Sequence, residues 1–135
     1  MQLTPYLNYN GNCAAAFKFY EKALGAKIDM LQTHGETPMK DQVPADWHKR
    51  VMHAQLSVGG AVLFASDAPP DGYEKPQGIT VALQVDDPVE AERRFNALSD
   101  GGNVTMPIQQ TFWAQRFGMV TDKFGIPWMV NCPAG

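Results

Sequence analysis

The chain has 135 residues, of which 44% are hydrophobic and 19% are charged, and its formal net charge is −3. This length and composition indicate a small globular domain with its own core and exclude a disordered or fibrous protein. The weakly acidic balance lacks a long Lys/Arg run, which disfavours nucleic acid as a partner, and no apolar stretch is long enough to cross a membrane. The first residues also lack the charged and apolar regions of a signal peptide, so we expect a cytoplasmic protein.

The first half of the sequence predicts one helix among four strands. Residues 3–9 read as a strand, and the turn at residues 10–12 leaves Asn12 free to cap the following helix. This helix is predicted over residues 13–24 from apolar side chains at helical spacing, and Gly25 ends it. Three more strands are predicted at residues 27–33, 51–58 and 61–65, with an irregular arm at residues 35–50 and a hairpin turn at residues 59–60.

The second half repeats this order after a proline-containing linker at residues 68–77. A strand is predicted at residues 79–85. The helix after it starts at Asp87-Pro88-Val89-Glu90, which combines an N-cap, an early proline and an acid three residues after the cap. It ends at Gly101-Gly102, and three strands follow at residues 104–109, 117–121 and 128–132.

This order predicts the α+β class, with two tandem βαβββ modules in one domain over residues 1–135. Module 1 covers about residues 1–67 and module 2 about residues 78–135. One helix covers only one face of a four-stranded sheet, so the other face needs a partner or a ligand. Side by side, the modules are expected to form a curved sheet with the helices outside and a concave cup inside, which is the expected functional surface.

Strand alternation predicts which side chains line this cup, because successive residues of a strand point to opposite faces. Leu56 and Val58 suit the helix-covered face, which turns His53, Gln55 and Ser57 toward the cup. In the fifth strand Ile79 and three apolar residues at alternate positions after it suit the core. The same reasoning selects the other lining residues: Tyr6, Asn8, Phe64, Thr80, Gln84, Met129 and Asn131. This lining is polar but uncharged, which favours a neutral ligand that forms hydrogen bonds or aromatic contacts.

His53 is the candidate catalytic residue, because histidine is the side chain that titrates near neutrality. It is expected to act as a general base or as a hydrogen-bond donor to a ligand; the alternative is a cross-strand packing residue bonded to a backbone carbonyl or water. Trp113, beside Phe112 and Arg116, is a candidate for stacking on a ligand and closing over it. The alternative for these residues is a lid or dimer contact that packs without a ligand.

Three more residues are expected to be mainly structural, and a fourth, Asp67, is left open. Asp122 precedes a Lys-Phe-Gly turn and is expected to bond backbone amides, and Trp128 is expected in the core. Cys13 is expected to be a small core residue, although a helix N-terminus favours a thiolate, and the two cysteines lack the spacing of a disulfide framework or a zinc site. Asp67, at the end of a strand, is open to either a structural or a functional interpretation.

A set of motifs extends over nearly the whole chain. The motifs are Pro5-Tyr6-Leu7-Asn8, Asn10-Gly11-Asn12, Phe19-Tyr20, Leu24-Gly25-Ala26, His53-Ala54, Ser66-Asp67, Thr111-Phe112-Trp113-Ala114 and Asp122-Lys123-Phe124-Gly125-Ile126-Pro127-Trp128. Together they resemble the PhnB-like branch of the vicinal oxygen chelate superfamily, which has the glyoxalase and bleomycin-resistance fold. The resemblance implies paired βαβββ modules and a homodimer.

Metal-dependent members of that superfamily place four His or Glu ligands on the floor of the cup. At the matching positions this sequence has Thr4 or Pro5, Phe64, Thr80 and Met129, none of which is a good ligand for a divalent metal. We therefore expect a site without a metal. Some PhnB-like sequences carry a ubiquinone-methyltransferase label, but the sequence has no glycine-rich loop for an adenosyl cofactor, so we expect no cofactor either.

The resulting hypothesis is a homodimer that binds an unidentified small organic molecule in a metal-free cup. His53, Tyr6, Asn8 and Gln55 would orient the ligand, and Trp113 with Arg116 would close over it. Whether a reaction follows is left open. The alternatives are acid–base catalysis through His53, a metal-dependent lyase or dioxygenase with other ligands, and a drug-sequestering resistance protein. The last class uses acidic grooves for cationic drugs, and the predicted lining is not acidic.

Overall fold

The computed structural model describes residues 1–135 and consists of two compact units, Met1–Glu74 and Lys75–Gly135. Unit 1 contains β1 (Tyr6–Tyr9), α1 (Cys13–Leu24), β2 (Lys27–Thr33), β3 (Val51–Val58) and β4 (Ala61–Asp67). Unit 2 contains β5 (Val81–Gln84), α2 (Pro88–Ser99), β6 (Asn103–Gln109), β7 (Ala114–Thr121) and β8 (Pro127–Pro133). The predicted α+β class with tandem βαβββ modules is confirmed. The boundary between the units falls within the segment predicted as a linker.

The two sheets have the same topology. The strand order is β1-β4-β3-β2 in unit 1 and β5-β8-β7-β6 in unit 2. In each sheet the first strand pairs in parallel with the last, and the other neighbours pair antiparallel. A parallel pair requires a long crossover connection, and here the crossover contains the helix and two strands. Tyr6 is therefore the partner of Phe64, although the two residues are far apart in sequence.

Each helix packs against its own sheet. In α1 the buried residues recur at helical spacing and include Phe17 and Leu24. Gly25 ends this helix with a φ of 64°, a left-handed conformation that glycine adopts without steric cost. At the start of α2 the Asp87 side chain accepts a hydrogen bond from the backbone N–H of Glu90 at 3.0 Å, which confirms the predicted cap.

The start of α1 differs from the prediction. Asn12 makes no side-chain cap hydrogen bond, and its Oδ1 atom is buried without a partner. Instead the Asp67 carboxylate accepts from the backbone N–H of Cys13 at 3.0 Å and from that of Val51 at 2.8 Å. Asp67 can do so because it pairs with Tyr9, the last residue of the strand that leads into the helix. A distant residue therefore replaces the expected local cap.

Two strands begin later than predicted. β1 starts at Tyr6 instead of residue 3, and β5 starts at Val81 instead of residue 79. Ile79 is 77% exposed, so its prediction as a core residue is wrong. The cause is the pairing of β5, which begins where Val81 lies opposite Trp128. A residue before that point has no strand partner to hold its side chain against the helix.

The arm between β2 and β3 contains three short 3-10 turns, His34–Glu36, Lys40–Gln42 and Ala45–Trp47. Its two ends are joined by backbone hydrogen bonds. The N–H of His34 donates to the carbonyl of Arg50 at 3.0 Å, and the N–H of Gly35 donates to the carbonyl of His48 at 3.0 Å. The arm thus leaves and re-enters the sheet at neighbouring points.

Candidate functional site

The face of the unit 1 sheet opposite α1 carries a cluster that we call the His53 surface, formed by Tyr6, His53, Gln55 and Phe64. On β3, Ala54 and Leu56 are fully buried, whereas the alternating His53 and Gln55 are half-buried. Phe64 lies opposite both Tyr6 and Gln55 on the neighbouring strands. The structure thus brings together four residues that strand alternation selected.

A hydrogen-bonded chain runs through this surface. The Tyr6 hydroxyl lies 3.2 Å from Nδ1 of His53, and Nε2 of the Gln55 amide lies 3.2 Å from Nε2 of His53. Both ring nitrogens of the histidine therefore have a side-chain partner. These two contacts restrict the orientation of the imidazole.

The rings of Tyr6, His53 and Phe64 pack against one another on the His53 surface. The centroids of His53 and Phe64 are 5.1 Å apart with an interplanar angle of 69°, and those of Tyr6 and Phe64 are 6.4 Å apart at 80°. The Tyr6 and His53 rings are 5.8 Å apart. These are edge-to-face or tilted contacts, which aromatic pairs prefer to direct stacking. Tyr6 remains 47% exposed, so its ring and hydroxyl are accessible at the surface.

Two other predicted residues lie on the same sheet face. Asn8 follows Tyr6 on β1 and pairs with Ser66. The Ser57 hydroxyl donates to the carboxylate of Asp29 on β2. Asp29 was not among the predicted residues, and the register between β2 and β3 shifts at its position. Asp29 and Lys27, the cross-strand partner of Ser57, add charges of opposite sign at one end of a face that was predicted to be uncharged.

In unit 2, the sheet face opposite α2 carries a second cluster, the Asn131 surface, formed by Gln84, Trp113, Phe117, Met129 and Asn131. The Asn131 amide donates from Nδ2 to Oε1 of Gln84 at 2.8 Å. The Trp113 and Phe117 rings are 5.5 Å apart at 65°, and Phe117 pairs with Asn131. The next residue along β7, Gly118, faces α2, which turns Phe117 to the opposite side.

A row of methionines crosses the Asn131 surface. Met106 lies opposite Met119, which lies opposite Met129, on the adjacent strands β6, β7 and β8. All three side chains are half-buried. Met129 was predicted on this face from the sequence, whereas Met106, Met119 and Phe117 were not. The alternation of β7 would have identified the last two, had the register of that strand been known.

The structure does not bring Arg116 to Trp113. The Arg116 guanidinium donates to the carboxylate of Glu92 on α2 at 2.7 Å, so this side chain is on the helix side of the sheet. A register irregularity between Ala114 and Arg116 separates this side chain from the preceding loop. Thr80 precedes β5 and is half-buried there, outside the paired strand.

The residues expected to be structural have structural contacts. Asp122 accepts from the backbone N–H groups of Phe124 and Ile126 through Oδ1, at 2.9 and 3.0 Å, and from Nε1 of the buried Trp128 through Oδ2, at 2.9 Å. Burial, with a smaller contribution from the charge of Asp67, raises the pKa of the Cys13 thiol to about 12. Cys13 is therefore a protonated core residue at neutral pH.

The residues on the two surfaces do not fit a divalent metal of the kind that the superfamily resemblance implies. Two of the matching positions hold Phe64, which has no donor atom, and Met129, a soft thioether. No group of three or more His, Cys, Asp or Glu side chains is arranged to hold a metal ion. The nearest side-chain partners of His53 are a hydroxyl and an amide.

Each unit is a βαβββ module that carries polar and aromatic side chains on the sheet face opposite its helix. Proteins with two such modules form a known structural class, and comparison with known proteins identifies the superfamily. The model of the Glyoxalase/Bleomycin resistance protein/Dioxygenase superfamily matches residues 3–130. The chain belongs to this superfamily, as its motifs predicted.

Three relatives illustrate the similarity. The chain is 37% identical to protein YjdN of Escherichia coli, over 97% of this chain and 95% of that protein. The crystal structure of protein PA1353 from Pseudomonas aeruginosa has 48% sequence identity and a TM-score of 0.90, covering 98% of both chains. The PhnB protein from Bacillus cereus shares the fold with a TM-score of 0.79 at 18% identity, over 98% of this chain and 99% of that one.

Neither α1 nor α2 has the length and apolar character needed to cross a membrane.

Proposed function

We propose that this protein binds a small, neutral organic molecule at the His53 surface, without a resident metal. The observation that carries the proposal is the hydrogen-bonded chain from Tyr6 through His53 to Gln55, set beside the Phe64 ring. A ligand site in a protein typically combines apolar or aromatic area with a few fixed polar groups. The His53 surface has this composition, and its imidazole is held in one orientation.

The charges around the surface support a neutral ligand. No arginine or lysine forms a hydrogen bond or ion pair with Tyr6, His53, Gln55 or Phe64. Lys27, which pairs with Ser57, and Asp29, which is bonded to Ser57, place opposite charges at one end of this face, so it has no net charge that would favour an ionic ligand. Recognition would therefore depend on hydrogen bonds and ring contacts.

The proposal of a metal-free site is tested by metal analysis of the purified protein. We expect zinc, nickel, iron and manganese well below one ion per chain. Phe64 and Met129 occupy positions at which metal-dependent relatives would need His or Glu. One tightly held ion per chain would contradict the proposal and would favour a metal-dependent lyase or dioxygenase.

Ligand binding is tested by screening a library of neutral aromatic and carbonyl compounds by NMR. For a compound that binds, Tyr6→Phe removes one hydroxyl donor and should weaken the affinity about three- to tenfold. His53→Ala removes the centre of the hydrogen-bonded chain and should weaken it further. Tyr73→Phe is the matched control, since Tyr73 belongs to unit 1 but lies outside the sheet. Equal affinities in all three variants would show that the ligand binds elsewhere.

The Asn131 surface is a second proposed contact region. Its Trp113 and Phe117 rings, the Gln84 and Asn131 amides and the thioether of Met129 are again uncharged. Methionine side chains adapt to irregular ligands and make favourable contacts with aromatic rings. Carbon-13 labelling of the methionine methyl groups would report occupancy, because Met129 should shift on binding whereas the exposed Met39 should not.

We also propose that the protein is a homodimer, as its superfamily resemblance implies. Light scattering at micromolar concentration should then give about twice the 14.9 kDa mass of one chain. A mass close to that of one chain would contradict the dimer without affecting the proposed ligand surface.

A further inference from the structure

We infer that Gln55 is a positioning residue that holds the proton of neutral His53 on Nδ1, and that the Tyr6 hydroxyl consequently donates to a carbonyl oxygen of the ligand. The part concerning the ligand rests on the proposed function. The part concerning the imidazole does not, because it follows from the contacts within the His53 surface.

Gln55 contacts the imidazole of His53 through its side-chain amide. The atom of Gln55 that lies 3.2 Å from Nε2 of His53 is the amide nitrogen, which can only donate a hydrogen bond. In this orientation of the amide, Nε2 of His53 is the acceptor and carries no hydrogen. A neutral imidazole has one N–H group, which is then at Nδ1.

The other ring nitrogen of His53, Nδ1, contacts the Tyr6 hydroxyl. With its hydrogen on Nδ1, the imidazole donates to the Tyr6 hydroxyl oxygen, 3.2 Å away. A phenol oxygen that accepts one hydrogen bond keeps its own hydrogen for another partner. Tyr6 is 47% exposed and has no second hydrogen-bond partner in the protein, so this hydrogen is available to a ligand.

The hydrogen of the Tyr6 hydroxyl restricts which ligand atom can bind beside it. A group that meets a fixed O–H donor must be an acceptor. Lys27 and Asp29 place opposite charges at one end of this face, so no net charge favours an anionic acceptor, and no cation is bonded to Tyr6 or His53 to hold one. A neutral carbonyl oxygen is an acceptor without a charge. The Phe64 ring beside Tyr6 and His53 favours an apolar or aromatic group next to that carbonyl.

The substitution Gln55→Glu should move the imidazole hydrogen of His53 from Nδ1 to Nε2, and it changes the shape of the side chain at residue 55 very little. At a pH where the new carboxylate is ionised it can only accept, so it requires the histidine hydrogen on Nε2. Nδ1 then becomes the acceptor for the Tyr6 hydroxyl, which has no hydrogen left for the ligand. Gln32→Glu is the matched control. Gln32 pairs with His53 across β2 and β3, so it introduces the same charge nearby without contacting the ring nitrogens.

The position of the imidazole hydrogen is measured by long-range hydrogen–nitrogen NMR of the protein labelled with nitrogen-15 at histidine, at an alkaline pH where imidazoles are neutral. We expect protonated Nδ1 and unprotonated Nε2 in the wild type and in Gln32→Glu, and the reverse in Gln55→Glu. A wild-type protein with its hydrogen on Nε2, or a Gln55→Glu variant with an unchanged imidazole, would overturn the role of Gln55.

The ligand class is measured with two probes of the same shape. Acetophenone has a carbonyl oxygen, and α-methylstyrene has a CH₂ group in its place. We expect acetophenone to bind about tenfold more tightly to the wild type and to lose that advantage in Gln55→Glu and in Tyr6→Phe. Equal affinities for the wild type would overturn the carbonyl class. If neither probe shifts the Tyr6 and His53 signals while the imidazole results are as expected, the proposed ligand surface fails and the positioning role of Gln55 stands.

Discussion

Replacing Asp122 with alanine should destabilise the protein strongly, although Asp122 is outside both candidate surfaces. The aspartate is 3% exposed and accepts three hydrogen bonds that connect a turn to the core of unit 2. Two come from the backbone of the turn at Phe124 and Ile126, and the third comes from the indole of Trp128. Alanine would remove both acceptor oxygens and leave the three donors in place.

The magnitude follows from where these donors lie. Trp128 is 1% exposed, so water cannot replace the lost acceptor, and an unsatisfied buried donor costs about 1–3 kcal/mol. Hydrogen bonds to a charged group contribute about 1.5–3 kcal/mol, and the turn would lose two of them. Because such contributions are not additive, we expect a loss of about 3–5 kcal/mol in the free energy of unfolding. For a chain of this length the melting temperature should fall by about 10–20 °C.

The assay is urea and thermal unfolding followed by circular dichroism. Asp71→Ala is the matched control, because Asp71 is exposed and has no hydrogen bond to the chain; it should change the stability by less than about 0.5 kcal/mol. Trp128→Phe removes the indole donor, so the cost of Asp122→Ala should be at least about 1 kcal/mol smaller in that background. A loss below about 1 kcal/mol for Asp122→Ala in the wild type would refute this reasoning.

Two other predictions concern the cores of the units. Gly118→Ala should destabilise unit 2 by more than about 1 kcal/mol in the same unfolding assay, because its Cβ would lie 2.7 Å from the Phe95 ring and 2.9 Å from the backbone of Ile108; an unchanged stability would contradict the close approach. Cys13 should not react with a thiol reagent at pH 8 until the protein unfolds, because burial raises its pKa to about 12, and rapid alkylation of the native protein would contradict this. Since the unfolded thiol titrates near 9.0 and the folded one near 12, the stability that Cys13 contributes is complete below pH 9 and is lost as the pH rises through this range.

The order of helices and strands was predictable because its signals are local. The cap at Asp87, the left-handed Gly25 and the apolar spacing of α1 each depend on residues within a few positions of one another. Side-chain alternation is equally local, and it assigned His53 and Gln55 to one face of β3 without knowledge of the fold. The family motifs extended this to the whole chain, and the superfamily match confirmed the assignment.

Two charged side chains lie beside irregular strand positions to which alternation was not applied. The register shifts at Asp29, which is bonded to Ser57, and again before Arg116, whose side chain binds Glu92 on α2 and not the Trp113 loop. Such a shift changes the face to which the following side chains point, and it depends on pairing with a neighbouring strand. A single sequence does not show which strands are neighbours.

The sequence by itself determined the elements, their order and most of the residues on each sheet face, since these depend on short-range sterics and on the period of each element. The tertiary structure decided which of those residues touch. The parallel pairing of β1 with β4 placed Tyr6 against His53 and Asp67 at the start of α1, across long stretches of chain. Contacts of this kind depend on how the whole chain closes on itself, because the free energy of strand pairing belongs to the assembled sheet and not to either segment.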